Sequence, residues 1–436
     1  MSESQSAPAG GTETTRPWKR GFWSLFAVQF QGAFSDNVFK FLVIFLIARS
    51  VDEAARDNYI SLILALFSLP FLLFSMAAGY LADRYPKPKV IVGTKLLEVF
   101  VMLAGTIGLY SRHPVVLAAV LFFMSVQSAF FGPSKYGILP EMLPRERLSW
   151  GNGFLGLGTF LAIIVGGILA GLLSDNLGPD RIWLAGAGLV LLALAGLTVS
   201  QLIPAMPAAD PEKVFHLNFL SELWINLKII NRDRILKLTL IGSVYFWFIA
   251  ALFGEPAILV YGQDVLGVDD TKISILRAFL AVGIAAGCGL AGFLSGRKIE
   301  YGLVPLGAMG MAAAAAVLFV PNLEFLTVGI TLWLMGIFGG FYDIPVTALL
   351  QDRPDPKMKG SVLATNGWMT SAGVFAASGI FWLLKSQLGL SPNTIFLIGA
   401  VFTAGIGLYA QAVTKGALSA FLARIARGDF QGRNDP

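Results

Sequence analysis

The chain has 436 residues, of which 56% are hydrophobic and 14% are charged, and its formal net charge is +5. A soluble domain cannot bury so much apolar material because its surface must stay wet, whereas a membrane-spanning helix uses about 20 mainly apolar residues. The composition excludes a soluble globular protein and predicts an all-α membrane protein. The positive charge requires no nucleic-acid partner, because Lys and Arg accumulate on the cytoplasmic side of membrane proteins.

The predicted elements form two six-helix halves with three flanking segments. Residues 1–21 are a disordered cytoplasmic tail without the apolar core of a signal peptide. The N-terminal half, 22–203, has spans near 22–48, 57–82, 89–110, 114–138, 148–174 and 182–203. A cytoplasmic linker with an interfacial helix covers 204–235. The C-terminal half, 236–414, has spans near 236–263, 272–295, 302–320, 325–350, 360–387 and 393–414, and a cytoplasmic amphipathic tail covers 415–436.

The distribution of basic residues predicts the orientation. Twelve spans place both termini on one side of the membrane. If that side is cytoplasmic, 22 of the 32 Lys and Arg residues lie inside, 6 lie outside and 4 lie within spans. The excess of positive charge inside therefore predicts cytoplasmic termini.

An internal repeat relates the two halves. A shift of 214 residues aligns Asn152-Gly153 with Asn366-Gly367, and both pairs are interpreted as helix-packing features. A shift of 213 residues aligns Gly79 with Gly292 and Arg84 with Arg297. The repeat unit is thus one six-span half, an arrangement known in transporters.

The loop after span 2, GYLADRYPKPK (79–89), resembles the loop signature of the major facilitator superfamily. Gly79 would let two helices approach closely, while Asp83 and Arg84 would bind charges or helix ends of the other half and act as a gate. The corresponding loop after span 8 has Gly296 in place of the Asp. The predicted latch is therefore one-sided.

Two other stretches closely resemble the bacterial lysophospholipid transporter family. They are VQFQGAFSDNVFKF (28–41) and FFGPSKYGILPEMLPRERLSWGNG (130–153), and GGFYDIPVTALLQ (339–351) resembles the matching motif of span 10. The similarity is greatest to the transporter half of fusion proteins that also carry an acyltransferase and an acyl-carrier-protein synthetase. The resemblance implies a flippase that moves lysophospholipids, such as lysophosphatidylethanolamine, across the bacterial inner membrane for re-acylation inside. The acyltransferase/acyl-carrier-protein synthetase would be a separate partner.

Charged residues within spans are costly, by about 2.5–3.5 kcal/mol on insertion scales, and normally face protein or a water-filled path. Asp36, followed by Asn37, is a candidate for binding a substrate ammonium, a proton or Na⁺. The alternative is a structural i,i+4 pair of Asp36 with Lys40. In the functional interpretation Lys40 belongs to the substrate site as well, where it keeps Asp36 ionised until a substrate or ion displaces it.

Lys135 is a candidate phosphate anchor, with Tyr136 as a hydrogen-bond donor. The alternative is a lysine that extends to the inner headgroups. Pro133 and Gly137 favour irregular backbone that lines a cavity. Lys95 and Glu98, three residues apart, are interpreted mainly as a mutual structural pair.

Secondary candidates include Glu255, Arg277 and Asp343, which, with Glu98, depart from the family pattern and leave headgroup and coupling ion open. Pro256 predicts a kink in span 7 that turns Glu255 inward, and Arg277 and Asp343 are candidates for a pair across spans 8 and 10.

The alternative function is proton- or sodium-coupled transport of another amphiphilic small molecule. A membrane acyltransferase is disfavoured because the two histidines, His113 and His216, lie in predicted loops and lack the Asp five residues later. We expect no enzyme activity, no metal site and no cofactor. Na⁺ or H⁺ is the candidate coupling ion, and membrane lipids are partners beside the substrate.

Overall fold

The computed structural model describes residues 17–50, 53–215 and 218–429, without the side chains of residues 48–67 and 255. The predicted tail before residue 17 and the last seven residues lie outside the described part, and residues 17–21, predicted to belong to that tail, are helical instead. Within it the helices are α1 (Pro17–Ser50), α2 (Glu53–Arg84), α3 (Lys87–Ser111), α4 (Pro114–Met142), α5 (Leu148–Arg181), α6 (Trp183–Ser200), α7 (Phe219–Ile230), α8 (Arg234–Phe253), α9 (Glu255–Asp264), α10 (Asp270–Leu294), α11 (Leu303–Val317), α12 (Phe325–Asp352), α13 (Lys359–Trp382), α14 (Pro392–Thr414) and α15 (Ala417–Ala426).

Twelve crossings account for most of these helices, so the chain is a multi-pass membrane protein. Ten segments of the described chain are long and apolar enough to cross a membrane, and the 32-residue α2 and the 15-residue α11 complete the set. The seventh crossing combines α8 and α9, which meet at Gly254. Pro256 lies in the first turn of α9, where its missing N–H does no harm, so the predicted kink is confirmed.

Helix packing repeats between the two halves. In the first half α1 packs on α5, α2 on α4, and α3 on α6. In the second half the equivalent contacts are α8 with α13, α10 with α12, and α11 with α14. This correspondence is the packing that the sequence repeat predicts.

Two helix pairs join the halves, and we call them the α2–α13 seam and the α5–α10 seam. At the α5–α10 seam a Cβ on Gly153 would lie 2.6 Å from the carbonyl oxygen of Cys288, so backbone touches backbone. At the α2–α13 seam a Cβ on Gly79 would lie 2.5 Å from the Cβ of Ala364. Glycine at both positions permits the close approach.

The halves are joined near one face of the bundle and separate near the other. With twelve crossings, α1 begins and α14 ends on the same face, here called the terminal face; α3 ends at Ser111 on the distal face. Buried clusters that contain residues of both halves lie toward the terminal face; one of them brings Phe22 and Leu148 together with Leu349. The two largest clusters, toward the distal face, each stay within one half. The bundle is therefore closed at the terminal face.

Two short amphipathic helices lie outside the twelve crossings, as the sequence predicts. Helix α7, in the linker, buries Leu223 and Ile230 and leaves Leu220 and Trp224 exposed. Helix α15, in the tail, is held by Arg424, whose guanidinium donates to the carbonyl oxygen of Leu294 at 2.6 Å. Both helices attach the connecting segments to the terminal face.

Candidate functional site

A cavity of about 570 Å³ lies between the halves and is lined by residues of α1 to α5 on one side and of α8, α12 and α13 on the other. The five residues predicted to bind substrate all line it: Asp36, Asn37, Lys40, Lys135 and Tyr136. Lys95 and Asp343 line it as well. The structure thus brings together in one space the charges that the sequence places on spans 1, 3, 4 and 10.

Asp36 faces helix α4 and not the next turn of its own helix. Its Oδ2 accepts a hydrogen bond from Ser128 Oγ at 2.8 Å, and its buried Oδ1 has no hydrogen-bond partner in the described part of the chain. Lys40 Nζ instead donates to Asn37 Oδ1 at 3.0 Å. The predicted direct Asp36–Lys40 pair is not formed: Ser128 holds one oxygen of Asp36, and Lys40 donates to Asn37.

Lys135 points into the cavity. Its Nζ lies 4.2 Å from the ring centroid of Tyr136 and 5.7 Å from that of Phe131. No carboxylate of the described residues lies within ion-pair distance of it, and the side chain is buried. A lysine that extends to the inner headgroups would leave the core, so this alternative does not describe Lys135 here. The predicted backbone irregularity is wrong: α4 continues through Pro133 and Gly137.

Asp343 is the acidic residue that the C-terminal half contributes to the cavity wall. Its Oδ1 accepts a hydrogen bond of 3.4 Å from Thr347 Oγ1, one turn further along α12. It does not pair with Arg277, which is not among the residues that line the cavity. The side chain of Glu255 lies outside the described residues.

Lys95 and Glu98 form the ion pair that their spacing predicts, and both are 1% exposed. Gln31 Nε2 donates to Glu98 Oε1 at 2.8 Å, and Gln127 Nε2 lies 3.4 Å from Glu98 Oε2. Lys95 Nζ also donates to Gln31 Oε1. This cluster, Gln31–Lys95–Glu98–Gln127, ties α1, α3 and α4 together beside the cavity.

Of the predicted gating residues, Gly79 and Asp83 meet the other half at the α2–α13 seam, whereas Arg84 contacts the linker instead. Asp83 is fully buried and accepts hydrogen bonds from the backbone N–H of Gly360 at 2.7 Å and of Ser361 at 3.0 Å, in the first turn of α13. A carboxylate at a helix N-terminus satisfies unpaired N–H groups and interacts favourably with the helix dipole. Asp83 therefore binds a helix end, as predicted.

The linker also contributes to this contact. Lys213 Nζ donates to Asp83 Oδ2 at 2.8 Å and to Ser361 Oγ, and Arg84 donates to the carbonyl oxygen of Lys213. In the described part of the chain the α5–α10 seam has no equivalent carboxylate, as Gly296 predicts. Two polar contacts nevertheless bridge the halves nearby, from Arg145 to Asp352 at 2.7 Å and from Asn152 to Gln351 at 2.8 Å.

Sequence reasoning missed several polar residues of the site. Gln31 lies in the motif 28–41, but no role was predicted for it. Gln127 and Ser128 are adjacent polar residues in a mainly apolar stretch of span 4. Uncharged polar residues in a span are a weaker signal than charges, but in lipid they too need partners. Asn366, interpreted as a packing residue, lines the cavity instead, whereas Asn152 has the predicted packing role.

The amino-acid sequence matches a known family and two known proteins over most of its length. A family model described as Major Facilitator Superfamily matches residues 25–378. The lysophospholipid transporter LplT of Klebsiella pneumoniae (strain 342) is 27% identical over 400 residues, covering 89% of this chain and 95% of that protein. LplT of Photorhabdus laumondii is 29% identical over 341 residues, covering 76% and 80%.

Solved structures share the fold at low identity. The E. coli fucose:proton symporter FucP superimposes with a TM-score of 0.75 at 13% identity, covering 91% of this chain and 99% of that one. The human organic anion transporter MFSD10 has a TM-score of 0.71 at 15% identity, covering 90% and 99%. These two structures show the fold, whereas the two LplT proteins, which match most of the chain, are named as transporters and support the prediction that the chain is a transporter and not an enzyme.

Proposed function

The chain belongs to the Major Facilitator Superfamily, and we propose that it is a secondary transporter that flips lysophospholipids by alternating access. One observation carries the proposal: a single cavity between the halves holds Asp36, one oxygen of which has no hydrogen-bond partner among the described residues, and Lys135, which has no acidic partner among them. The names of the relatives that match most of the chain support the same substrate class.

The chemistry of the cavity suits a zwitterionic lipid with one chain. Its phosphate would bind the Lys135 ammonium, and its ammonium would bind the Asp36 carboxylate. The single acyl chain would contact the apolar part of the wall, where Phe71, Trp247 and Phe375 lie. Ions left unpaired in a low-dielectric cavity cost several kcal/mol, so fixed opposite charges are what such a substrate requires.

The direction of transport follows from the orientation that the basic residues favour. With the terminal face in the cytoplasm of a bacterial inner membrane, the closed side is the cytoplasmic side and the cavity is accessible from outside. A lysophospholipid would enter from the outer leaflet and leave inside, where a separate acyltransferase/acyl-carrier-protein synthetase would re-acylate it. The driving ion would be Na⁺ or H⁺, and no cofactor is required.

The orientation is tested by cysteine labelling. An introduced cysteine at exposed Asp269 should react with an impermeant thiol reagent added outside intact cells, and one at exposed Lys415 should react only after permeabilisation. The native Cys288 is buried and serves as the background control. Reversed labelling would contradict the proposed direction.

The substrate is tested in proteoliposomes with purified protein. We expect uptake of labelled lysophosphatidylethanolamine that requires Asp36 and Lys135 and depends on a Na⁺ or proton gradient. Uptake of other amphiphilic molecules without any lysophospholipid uptake would instead favour the second candidate, a coupled transporter of a different amphiphile on the same fold.

A further inference from the structure

The cluster beside the cavity places a second cation within reach of the substrate site. A Cβ built on Gly32 would lie 3.5 Å from Lys95 Nζ. Gly32 precedes Asp36 by four residues, so the two positions share one face of α1 at about 6 Å. Lys95 also lines the cavity. Its ammonium is therefore one helical turn from the carboxylate that the substrate cation needs.

Lys95 is held away from Asp36 by Glu98. The Glu98 carboxylate accepts from Lys95 through Oε2 and from Gln31 through Oε1 at 2.8 Å. Asp36 receives only the hydroxyl of Ser128 and keeps Oδ1 without a partner in the described part of the chain. The buried ammonium of Lys95 lies near two carboxylates, those of Asp36 and Glu98, and it pairs with Glu98.

We propose that Glu98 determines headgroup specificity: by neutralising Lys95 it leaves Asp36 available for the cationic group of a substrate. This inference rests on the proposed function. A carboxylate already paired with an internal lysine would have to lose that partner before it bound an ammonium. With Lys95 neutralised, the substrate ammonium becomes the partner of Asp36, and amphiphiles with a cationic headgroup are preferred over those with a neutral one.

The variants E98Q and K95Q/E98Q separate this role from a structural one. In E98Q the Lys95 ammonium loses its counter-ion and turns to Asp36. The double variant removes both charges, so Asp36 is available again although the ion pair is gone. A purely structural pair would make the double variant no better than E98Q. The matched control is E300Q, which neutralises the acid of another buried pair, Glu300–Arg424, neither member of which lines the cavity.

Transport is measured in proteoliposomes with two substrates of equal chain length, lysophosphatidylethanolamine with an ammonium and lysophosphatidylglycerol without one. We expect E98Q to raise KM for the ethanolamine lipid about tenfold, the equivalent of one charge-assisted hydrogen bond. KM for the glycerol lipid should change little, and K95Q/E98Q should restore the ethanolamine KM. E300Q should leave the ratio of the two KM values unchanged.

A binding measurement keeps the inference independent of the transported substrate. Dodecyltrimethylammonium binding, followed by the change in intrinsic tryptophan fluorescence, to which Trp247 at the cavity wall contributes, should weaken about tenfold in E98Q and recover in K95Q/E98Q. If the wild type transports neither lysolipid, the proposed function fails while this binding series still decides the role of Glu98. Equal losses for both lipids, or a double variant as impaired as E98Q in either measurement, would overturn the inference. If E98Q does not fold, the double variant decides alone, and a selective loss of cation binding in K95Q/E98Q would overturn the inference.

Discussion

Two groups of charged side chains within the membrane-spanning helices of the N-terminal half differ in one respect: the protein itself pairs the charges of the first group but not those of the second. In the first group, Lys95 and Glu98 bind each other and two glutamines, so their charges are neutralised within the protein. In the second, one oxygen of Asp36 has no hydrogen-bond partner among the described residues, and Lys135 faces aromatic rings. Because a charge in a bilayer must have a partner, the second group is the one that requires something from outside the protein.

The largest expected effect is on transport when the second group is changed. Asp36→Asn and Lys135→Ala should each abolish lysolipid transport, because each leaves one substrate ion without a partner. Expression and thermal stability should change little, since neither side chain is held by an ion pair in the described residues. The measurement is uptake of labelled lysophosphatidylethanolamine beside a thermal unfolding curve. Normal transport by Asp36→Asn would make that carboxylate structural and direct the search for the headgroup site to Asp343 or Glu255.

The next largest expected effect is a loss of stability when the Lys95–Glu98 pair of the first group is broken. Lys95→Met leaves Glu98 buried without its cation, and breaking a buried pair in this way costs about 3–5 kcal/mol. Lys135→Met should cost far less, because no ion pair is lost. Thermal unfolding of the two variants in one detergent compares them directly. Equal losses would remove the distinction between the two groups.

A smaller effect is expected at the α2–α13 seam, where the Asp83 carboxylate is satisfied by the other half of the molecule. Asp83→Asn weakens charge-assisted hydrogen bonds worth about 1.5–3 kcal/mol each, and it should slow transport while lysolipid still binds. Uptake rates and equilibrium binding are measured on the same preparation. Loss of binding by a folded variant would instead assign Asp83 to the substrate site.

The smallest effect is expected for Lys40→Ala. Lys40 contacts Asn37 and not Asp36, so its influence on the carboxylate acts through space. Transport should persist, with a shift in the pH or Na⁺ concentration at half-maximal rate. Uptake measured across a pH series and a Na⁺ series reports the shift. Complete loss of transport would place Lys40 with Asp36 and Lys135 among the residues that contact substrate.

Local features were predictable from the sequence, and contacts between distant helices were not. Twelve crossings, the repeat and the Lys95–Glu98 pair follow from apolar runs and from a spacing of three residues on one helix. The choice of Lys40 between Asp36 and Asn37 could not be predicted, because Ser128 on another helix decides the orientation of Asp36. The role of Lys213 was missed for the same reason, since its partners are 130 and 148 residues away.

The unbroken assignment of α4 through Pro133 has a related explanation. A proline removes one backbone hydrogen bond, but in a bundle the neighbouring helices can compensate for it. Pro133 and Gly137 thus led to one correct prediction, that this part of α4 lines a cavity, and to one wrong prediction, that its backbone is irregular. The packing that keeps the helix continuous comes from α2, α3 and α13, which the local sequence does not contain.

The close approach of α5 and α10 gives the protein a built-in reporter of its own movement. Cys288 is the single cysteine of the chain, and its Sγ would lie 3.0 Å from a Cβ on Gly156 across the seam. Any motion that parts these two helices uncovers that sulfur. The rate at which a thiol reagent modifies the unaltered protein thus measures how often the terminal face opens, without a single engineered residue.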